Sequence, residues 1–287
     1  MNSPIQILNQ YKIKPRKKLG QSFLIDMNII KSIVNKADIN KTDIVVEIGS
    51  GIGILTEYLA QKAEKVIAVE LDKTLVLVLQ QRLKDYVNIE INHGNILNLN
   101  FKEIADRECK KIKIIGNIPY NITNLLLFRL LYYKNNINYF TLMMQEEVVE
   151  RLLSKPGKKE YGVTSVIMQM FSYMERVMDV KSSSFLPRPK VESSVIRGFF
   201  RKEYMVDLNN EELFKQIVRL SFSQRRKMVI NNLKRFKLFE NTSEIELKKH
   251  LQYLGIDFRR RAETLSTAEF GMLTNYISNI IKKDSVK

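Results

Sequence analysis

Between Asn28 and Ala37 the apolar residues fall at Ile29, Ile30, Ile33, Val34 and Ala37, the spacing of one helical face. The run that follows, Asp43-Ile-Val-Val-Glu-Ile-Gly49, is short, continuously apolar but for one Glu, and closed by glycine, the pattern of a buried parallel strand. The alternation continues with a helix over 54–63, a strand over 65–70, a helix over 74–83, strands over 87–91 and 111–116, a helix over 125–133 and a strand over 137–143. Strands separated by helical patterns predict right-handed βαβ crossovers and an α/β fold with a doubly wound parallel sheet. A helix over 163–173 precedes two closing strands, 174–180 and 193–201, separated by a loop in which Pro187 and Pro189 forbid regular helix. Beyond about residue 205 the strand pattern stops. Phe214, Ile217 and Val218, then Met228, Val229 and Leu233, predict a small all-helical C-terminal domain. The expected division is 1–25, 26–204 and 205–287.

With 287 residues, 45% of them apolar, the chain has material for a substantial core, and disorder is excluded as an overall description. Its 47 Lys and Arg against 31 Asp and Glu leave a net charge of +16, which points to a polyanionic partner, nucleic acid before an anionic membrane. The excess is uneven: residues 181–287 carry 22 basic and 12 acidic side chains, the preceding 180 carry 25 and 19. Cys109 is the single cysteine and His93 and His250 the two histidines, so an intramolecular disulfide is excluded and a structural zinc site is not expected. No stretch approaches the roughly 18 apolar residues of a membrane span and the N-terminus has no signal-peptide pattern, so the expectation is a metal-free cytoplasmic protein.

The strongest local feature is Val46-Glu-Ile-Gly49-Ser-Gly51-Ile-Gly53-Ile-Leu-Thr56, a strand that breaks into closely spaced glycines and enters a helix. Glycines there let backbone approach a ligand at the C-terminal edge of an open sheet. Glu70 follows Gly49 by 21 residues, at the end of the next strand, where a carboxylate can accept both hydroxyls of an adenosine ribose. The spacing is G-x-G-x-G, and the third glycine of a dinucleotide fingerprint would fall on Ile54, which speaks against NAD and for an S-adenosylmethionine type of site. A tight turn beside a solvated carboxylate is the plain alternative.

After the strand over 111–116 comes Asn117-Ile-Pro-Tyr-Asn-Ile-Thr123, which suits an exocyclic amine on a flat base. The Asn117 side-chain oxygen and the Ile118 carbonyl can accept two N–H bonds, Pro119 can hold the loop, and Tyr120 can stack on the ring. An Asn-Pro turn with a packed tyrosine is the alternative at this point.

These segments resemble the ribosomal RNA adenine N6,N6-dimethyltransferases of the KsgA type, over about Arg16 to Ile277. Besides the two motifs above, the resemblance rests on Lys18-Leu-Gly-Gln-Ser-Phe-Leu24, Ala68-Val-Glu-Leu-Asp72, Gln145-Glu-Glu-Val-Val-Glu-Arg-Leu152, Ser184-Phe-Leu-Pro-Arg-Pro-Lys-Val191, Phe222-Ser-Gln-Arg-Arg-Lys227 and Arg261-Ala-Glu-Thr-Leu-Ser266. It implies a class I, Rossmann-like methyltransferase fold over 26–204, covered by the basic segment 1–25, with a helical RNA-binding domain over 205–287. It also implies S-adenosylmethionine-dependent dimethylation of two adjacent adenosines near the 3′ end of small-subunit rRNA. The implied cofactor residues are Ser22, Leu24, Gly49, Gly51, Glu70, Asn95 and Asn117, with Glu70 on the ribose, Asn95 on the adenine and Leu24 as a cover. The target adenine is implied to lie between Tyr120 and Phe185, with Asn117 and Ile118 on its N6. Two positions depart from the family pattern: Asn95 stands where an aspartate is usual, and Ser22 where an asparagine is usual.

The stretch from Leu213 to Phe239 has eight basic residues and no acid: Lys215, Arg219, Arg225, Arg226, Lys227, Lys234, Arg235 and Lys237. Ordinary ion pairing is therefore not expected there, and the stretch predicts a helix that packs by one face and meets phosphate with the other. Lys17 and Lys18, in the basic run 12–18, extend the RNA-binding set. The expected partner is rRNA in a 30S assembly intermediate, and the expected state is a monomer. A large-subunit (Erm-type) rRNA methyltransferase and a non-catalytic assembly factor on the same fold remain as alternatives.

Overall fold

A computed structural model describes residues 3–235, 239 and 243–284, and within them the chain separates into two units, 1–149 with 174–200, and 150–173 with 201–287. The strands are β1 (Phe23–Leu24), β2 (Ile44–Ile48), β3 (Lys65–Glu70), β4 (Ile89–His93), β5 (Ile112–Asn117), β6 (Ile137–Gln145), β7 (Ser172–Val180), β8 (Phe185–Leu186) and β9 (Ser193–Phe200). The helices are α1 (Pro4–Gln10), α2 (Met27–Lys36), α3 (Ile54–Ala60), α4 (Lys73–Arg82), α5 (Phe101–Arg107), α6 (Thr123–Tyr132), α7 (Glu146–Leu153), α8 (Val163–Phe171), α9 (Glu211–Ser221), α10 (Val229–Leu233), α11 (Glu244–Tyr253) and α12 (Thr267–Asp284).

Seven strands form one sheet in the order β4-β3-β2-β5-β6-β9-β7. The neighbours from β4 to β6 are parallel, and β9 is antiparallel to β6, with Met143 opposite Val195. All five residues of β2 are buried, because helices cover both faces of a parallel sheet. Val34 and Ala37 of α2 and its cap, with Leu59 and Ala60 of α3, pack on Val45, Val66 and Ile115. The expected doubly wound sheet is present, and its closing strand β9 makes it a mixed one. The link from β7 to β9, residues 181–192, holds no α-helix, and a parallel return needs such a crossover.

Residues 3–25, expected as a basic covering segment, are built into the fold. Ser3 caps α1 in a reciprocal box with Gln6, Pro4 occupies its first turn, and Ile7 and Leu8 are buried with Phe23, Ile30, Ile52, Ile54 and Leu75. The chain then crosses to β1, which pairs antiparallel with β8, Phe23 opposite Leu186 and Leu24 opposite Phe185.

The second unit takes in residues 150–173, which the expected boundary at 204/205 leaves with the sheet. The reason lies in the packing of α8 against α9 and α12: Met170 meets Gly271, and Phe171 stands edge-on to Phe214. The expected single helix through the basic stretch is instead two, α9 and α10, broken between Phe222 and Met228.

Candidate active site

The strand order reverses between β2 and β5, and the C-terminal ends of these strands are the usual ligand position in an open α/β sheet. A cavity of about 340 Å³ lies there, walled by the turns after β2, β3, β4 and β5 and by the strap Lys18–Leu24.

The turn after β2 carries three left-handed glycines, Gly49 at φ +66°, Gly51 at +59° and Gly53 at +79°. A Cβ on Gly53 would come within 2.6 Å of Leu79, so that glycine serves the packing of α3 on α4, whereas Gly49 and Gly51 line the cavity. Glu70, at the end of β3, accepts from the Gly51 amide at 2.8 Å and from the Asp72 amide at 2.9 Å. Burial raises its pKa, and these two backbone donors oppose the rise. Each carboxylate oxygen keeps a further lone pair for a ligand hydroxyl. Asn95 also lines the cavity, and its side-chain oxygen accepts from the Leu97 amide at 3.0 Å, which leaves its NH₂ group for a ligand. A ribose diol, an adenine and an amino-acid tail match this donor and acceptor set, so the residues present fit S-adenosylmethionine.

The opposite wall is the segment after β5. Asn117 donates from Nδ2 to the Ser22 carbonyl at 3.1 Å, an orientation that reserves Oδ1 as an acceptor. Ile118 is anchored by its amide to the Met143 carbonyl at 2.9 Å, and Pro119 leads into a single 3₁₀ turn. The Tyr120 hydroxyl lies 3.0 Å from Ser193 Oγ, which fixes its ring at the cavity wall. Gly116 is needed before this segment, because a Cβ there would come within 2.6 Å of the Ile48 carbonyl across the β2–β5 pair.

Two expected residues are placed differently. Phe185 does not line the cavity; it is 3% exposed, in a cluster with Ile33, Met143, Val180 and Val195. Ser22 lines the cavity, but its hydroxyl donates to the Pro187 carbonyl at 2.9 Å, so the side chain ties the strap to the loop after β8. Leu24 lies in the cavity wall.

Glu47 forms the floor. It is wholly buried beneath the glycine turn, accepts from Thr56 Oγ1 at 2.5 Å, and burial pushes its pKa up to about 8. Sequence reasoning passed over it, as it did Gly116 and Asp72. Glu47 had one signal, an acid inside an otherwise apolar strand. Asp72 had another, a capping residue type directly ahead of a helical run.

The basic residues divide. Arg225 pairs with Glu263 at 2.6 Å and also bonds the carbonyls of Lys159 and Tyr161, so its guanidinium is held within the second unit. Lys215 pairs with Glu212 at 2.6 Å and Lys234 with Glu244. The absence of acids within 213–239 therefore does not prevent pairing, since partners come from outside that window. Lys17, Lys18, Arg226 and Lys227 are exposed and have no ion-pair partner among the described residues, and Lys18 reaches the cavity rim. Lys237 lies outside the described residues.

Residues 12–279 match the sequence profile of the ribosomal RNA adenine dimethylases. A ribosomal RNA small subunit methyltransferase A of Bacillus cytotoxicus is 41% identical over 278 residues, which is 96% of this chain and 95% of that protein. Its counterpart in Syntrophus aciditrophicus is 40% identical over 274 residues, 95% and 98% of the two chains. Among solved structures, a dimethyladenosine transferase of Plasmodium falciparum gives a TM-score of 0.76 at 26% identity, covering 90% of this chain and 97% of that one. The 23S rRNA methyltransferase ErmE shares the fold, with a TM-score of 0.68 at 23% identity over 89% and 99% of the two chains. A match of this extent, spanning the glycine turn and the Asn117 segment alike, shows that the chain belongs to the ribosomal RNA adenine dimethylase family.

Proposed function

We propose that this chain is an S-adenosylmethionine-dependent enzyme that dimethylates the N6 amines of two adjacent adenosines near the 3′ end of small-subunit rRNA, acting on a 30S assembly intermediate as a monomer. The observation that carries the reading is the Asn117 amide, turned by the Ser22 carbonyl so that its oxygen is left to accept. The whole-length relatives named for the small subunit support that substrate over the large subunit.

The cofactor supplies a methyl group already activated on a sulfonium, so the chain's own task is alignment and charge stabilisation. Glu70 holds the ribose, Asn95 and the neighbouring Ile96 frame the adenine slot, Gly49 and Gly51 bring backbone to the amino-acid end, and Leu24 covers it. At the acceptor, the N6 lone pair is delocalised into the base. Asn117 Oδ1 and the Ile118 carbonyl, by accepting both N–H bonds, favour the more tetrahedral amine that can attack. Tyr120 supports one face of the ring. A base-stacking role for Phe185 requires the β1–β8 pair to open, and in the closed arrangement Phe185 backs the wall.

An adenine inside a stack cannot reach such a pocket, and unstacking costs about a few kcal/mol. RNA contacts elsewhere must offset that cost. The second unit, with 22 basic and 13 acidic residues, is suited to supply them through groups such as Arg226 and Lys227.

The test is transfer of labelled methyl to under-methylated 30S particles, with mass spectrometry of the adenosines. Two dimethyladenosines from the native chain, and none from Asn117→Ala, are expected. Modification of large-subunit rRNA would favour the Erm-type reading. Salt-sensitive particle binding without any transfer would favour an assembly factor.

A further inference from the structure

Seven consecutive residues of the strap, Lys18 to Leu24, wall the cavity. At one end the strap is tied by Ser22 and by the β1–β8 pair. Its other end is tied to a single carboxylate, Asp72, which is 4% exposed. Arg16 Nη1 lies 3.0 Å from Asp72 Oδ1, and Gln21 Nε2 donates to Asp72 Oδ2 at 2.9 Å. Arg16, just ahead of the strap, also donates to Thr74 Oγ1 at 3.0 Å, and its backbone amide donates to Gln21 Oε1 at 2.7 Å, so Arg16 and Gln21 are locked to each other as well as to the carboxylate.

The same Asp72 is bonded to the ribose residue. Its backbone amide donates to Glu70 Oε1, while Gly51 donates to Glu70 Oε2. Asp72 Oδ1 further accepts from the Thr74 amide at the start of α4, which holds the carboxylate on a rigid element. Arg16, Asp72, Glu70 and Gly51 thus form one continuous set of bonds from the strap to the glycine turn. A ligand hydroxyl on Glu70 adds to a network whose far end is the strap, and opening the strap removes partners from a buried carboxylate.

We infer that Asp72 is a positioning residue for the cofactor: by holding Arg16 and Gln21 it keeps the strap across the cavity and sets how fast spent cofactor leaves between the successive transfers to one adenine. The inference rests on the S-adenosylmethionine reading above. Double methylation at one amine demands exchange of cofactor, so a fastening that is firm but half open to solvent, with Arg16 55% exposed, is suited to the task.

The experiment uses the full chain without RNA, with S-adenosylhomocysteine as the probe. Its dissociation rate is followed by stopped flow, and trypsin cleavage after Lys17 and Lys18 is followed with and without it. Arg16→Ala is expected to speed dissociation on the order of tenfold, the loss of one charge-assisted contact to a buried carboxylate that is partly screened by solvent. It is also expected to weaken the protection of Lys17 and Lys18 that the ligand confers. Arg16→Lys, which keeps the charge, should recover most of both effects, and Gln21→Glu, which sets a second carboxylate against Asp72, should exceed Gln21→Ala. Arg16 is exposed enough that these variants avoid the folding risk of changing the helix cap at Asp72. Native binding with unchanged dissociation and protection in Arg16→Ala overturns the inference alone. A native chain that does not bind S-adenosylhomocysteine overturns the cofactor reading and the inference together.

Discussion

Asn117 Nδ2 and the Ser22 carbonyl, 3.1 Å apart, join the end of β5 to the N-terminal strap at the point where the acceptor amine is proposed to sit. One side chain therefore does two things: it seats the strap with its nitrogen and faces the base with its oxygen. Asn117→Ala removes the acceptor, and a loss of about 10²-fold or more in transfer rate is expected. Asn117→Asp keeps an acceptor but turns an oxygen onto the Ser22 carbonyl. It is expected to lose rate and also to raise the KM for S-adenosylmethionine, which steady-state kinetics with each substrate varied in turn will separate.

Glu47 makes stability depend on pH. Its carboxyl is shifted from 4.5 to about 8 by burial, so between those values the folded chain holds a proton that the unfolded chain has released. Stability from this group is complete below about 4.5, falls as pH rises, and is gone once pH passes about 8. The full swing is on the order of a few kcal/mol. Glu47→Gln should abolish it, gaining on the native chain as pH is raised from 5 to 8.5 in urea unfolding. A constant difference across that range would rule out a protonated Glu47.

Gly116→Ala places a methyl 2.6 Å from the Ile48 carbonyl and 3.1 Å from the Ile48 amide, both backbone atoms of a central parallel pair that cannot step aside. Destabilisation of at least about 1–3 kcal/mol is expected, together with weaker cofactor binding, because the displaced strands carry Gly49 and Asn117. Thermal unfolding and a binding titration on the soluble fraction check both.

Lys113 on β5 and Asp43 ahead of β2 form an ion pair at 2.5 Å with both side chains largely buried, and the ammonium also donates to the Asp38 carbonyl at 2.8 Å. Removing one partner strands the other. Lys113→Ala should cost about 3–5 kcal/mol, while replacing both by apolar residues of similar size should cost much less. A double-mutant cycle in urea gives the coupling directly.

Arg226 and Lys227 are expected to serve RNA, whereas Arg225 is expected to serve the fold. Arg226→Ala with Lys227→Ala should weaken particle binding and reduce the slope of log affinity against log salt by about 1–2, with little change in melting. Arg225→Ala should instead lower the melting temperature, since it breaks the pair with Glu263 and the bonds to two carbonyls. Equal salt slopes for the two variants would count against this division.

The sequence pattern revealed the parallel part of the sheet because strands covered by helices on both faces need short continuous apolar runs, such as those holding Val45, Val46, Ile67 and Ile114. It also singled out Gly49, Gly51, Glu70 and Asn117, which all line the cavity and whose residue types are set by close approach or by hydrogen-bond capacity. The direction of β9 was not legible, since antiparallel and parallel strands of one buried sheet can share the same apolar run. Nor was α1, whose buried face is little more than Ile7 and Leu8. Phe185 and Arg225 show a third limit. Type and motif identified them, but whether a ring faces a cavity or a core, and whether a guanidinium faces solvent or Glu263, is decided by partners far along the chain.

The pairing of β1 with β8 sets an order of events during synthesis. Leu24 walls the cavity, yet its strand partner is Phe185, and the loop that receives the Ser22 hydroxyl follows immediately at Pro187. A chain emerging N-terminus first therefore carries Asp72 and Asn117, which fasten the strap through Arg16, Gln21 and the Ser22 carbonyl, well before the strand that pairs with it. Until the segment around Leu186 has left the tunnel, the strap of the nascent protein has its Asp72 and Asn117 partners but neither its strand partner nor the carbonyl that receives the Ser22 hydroxyl.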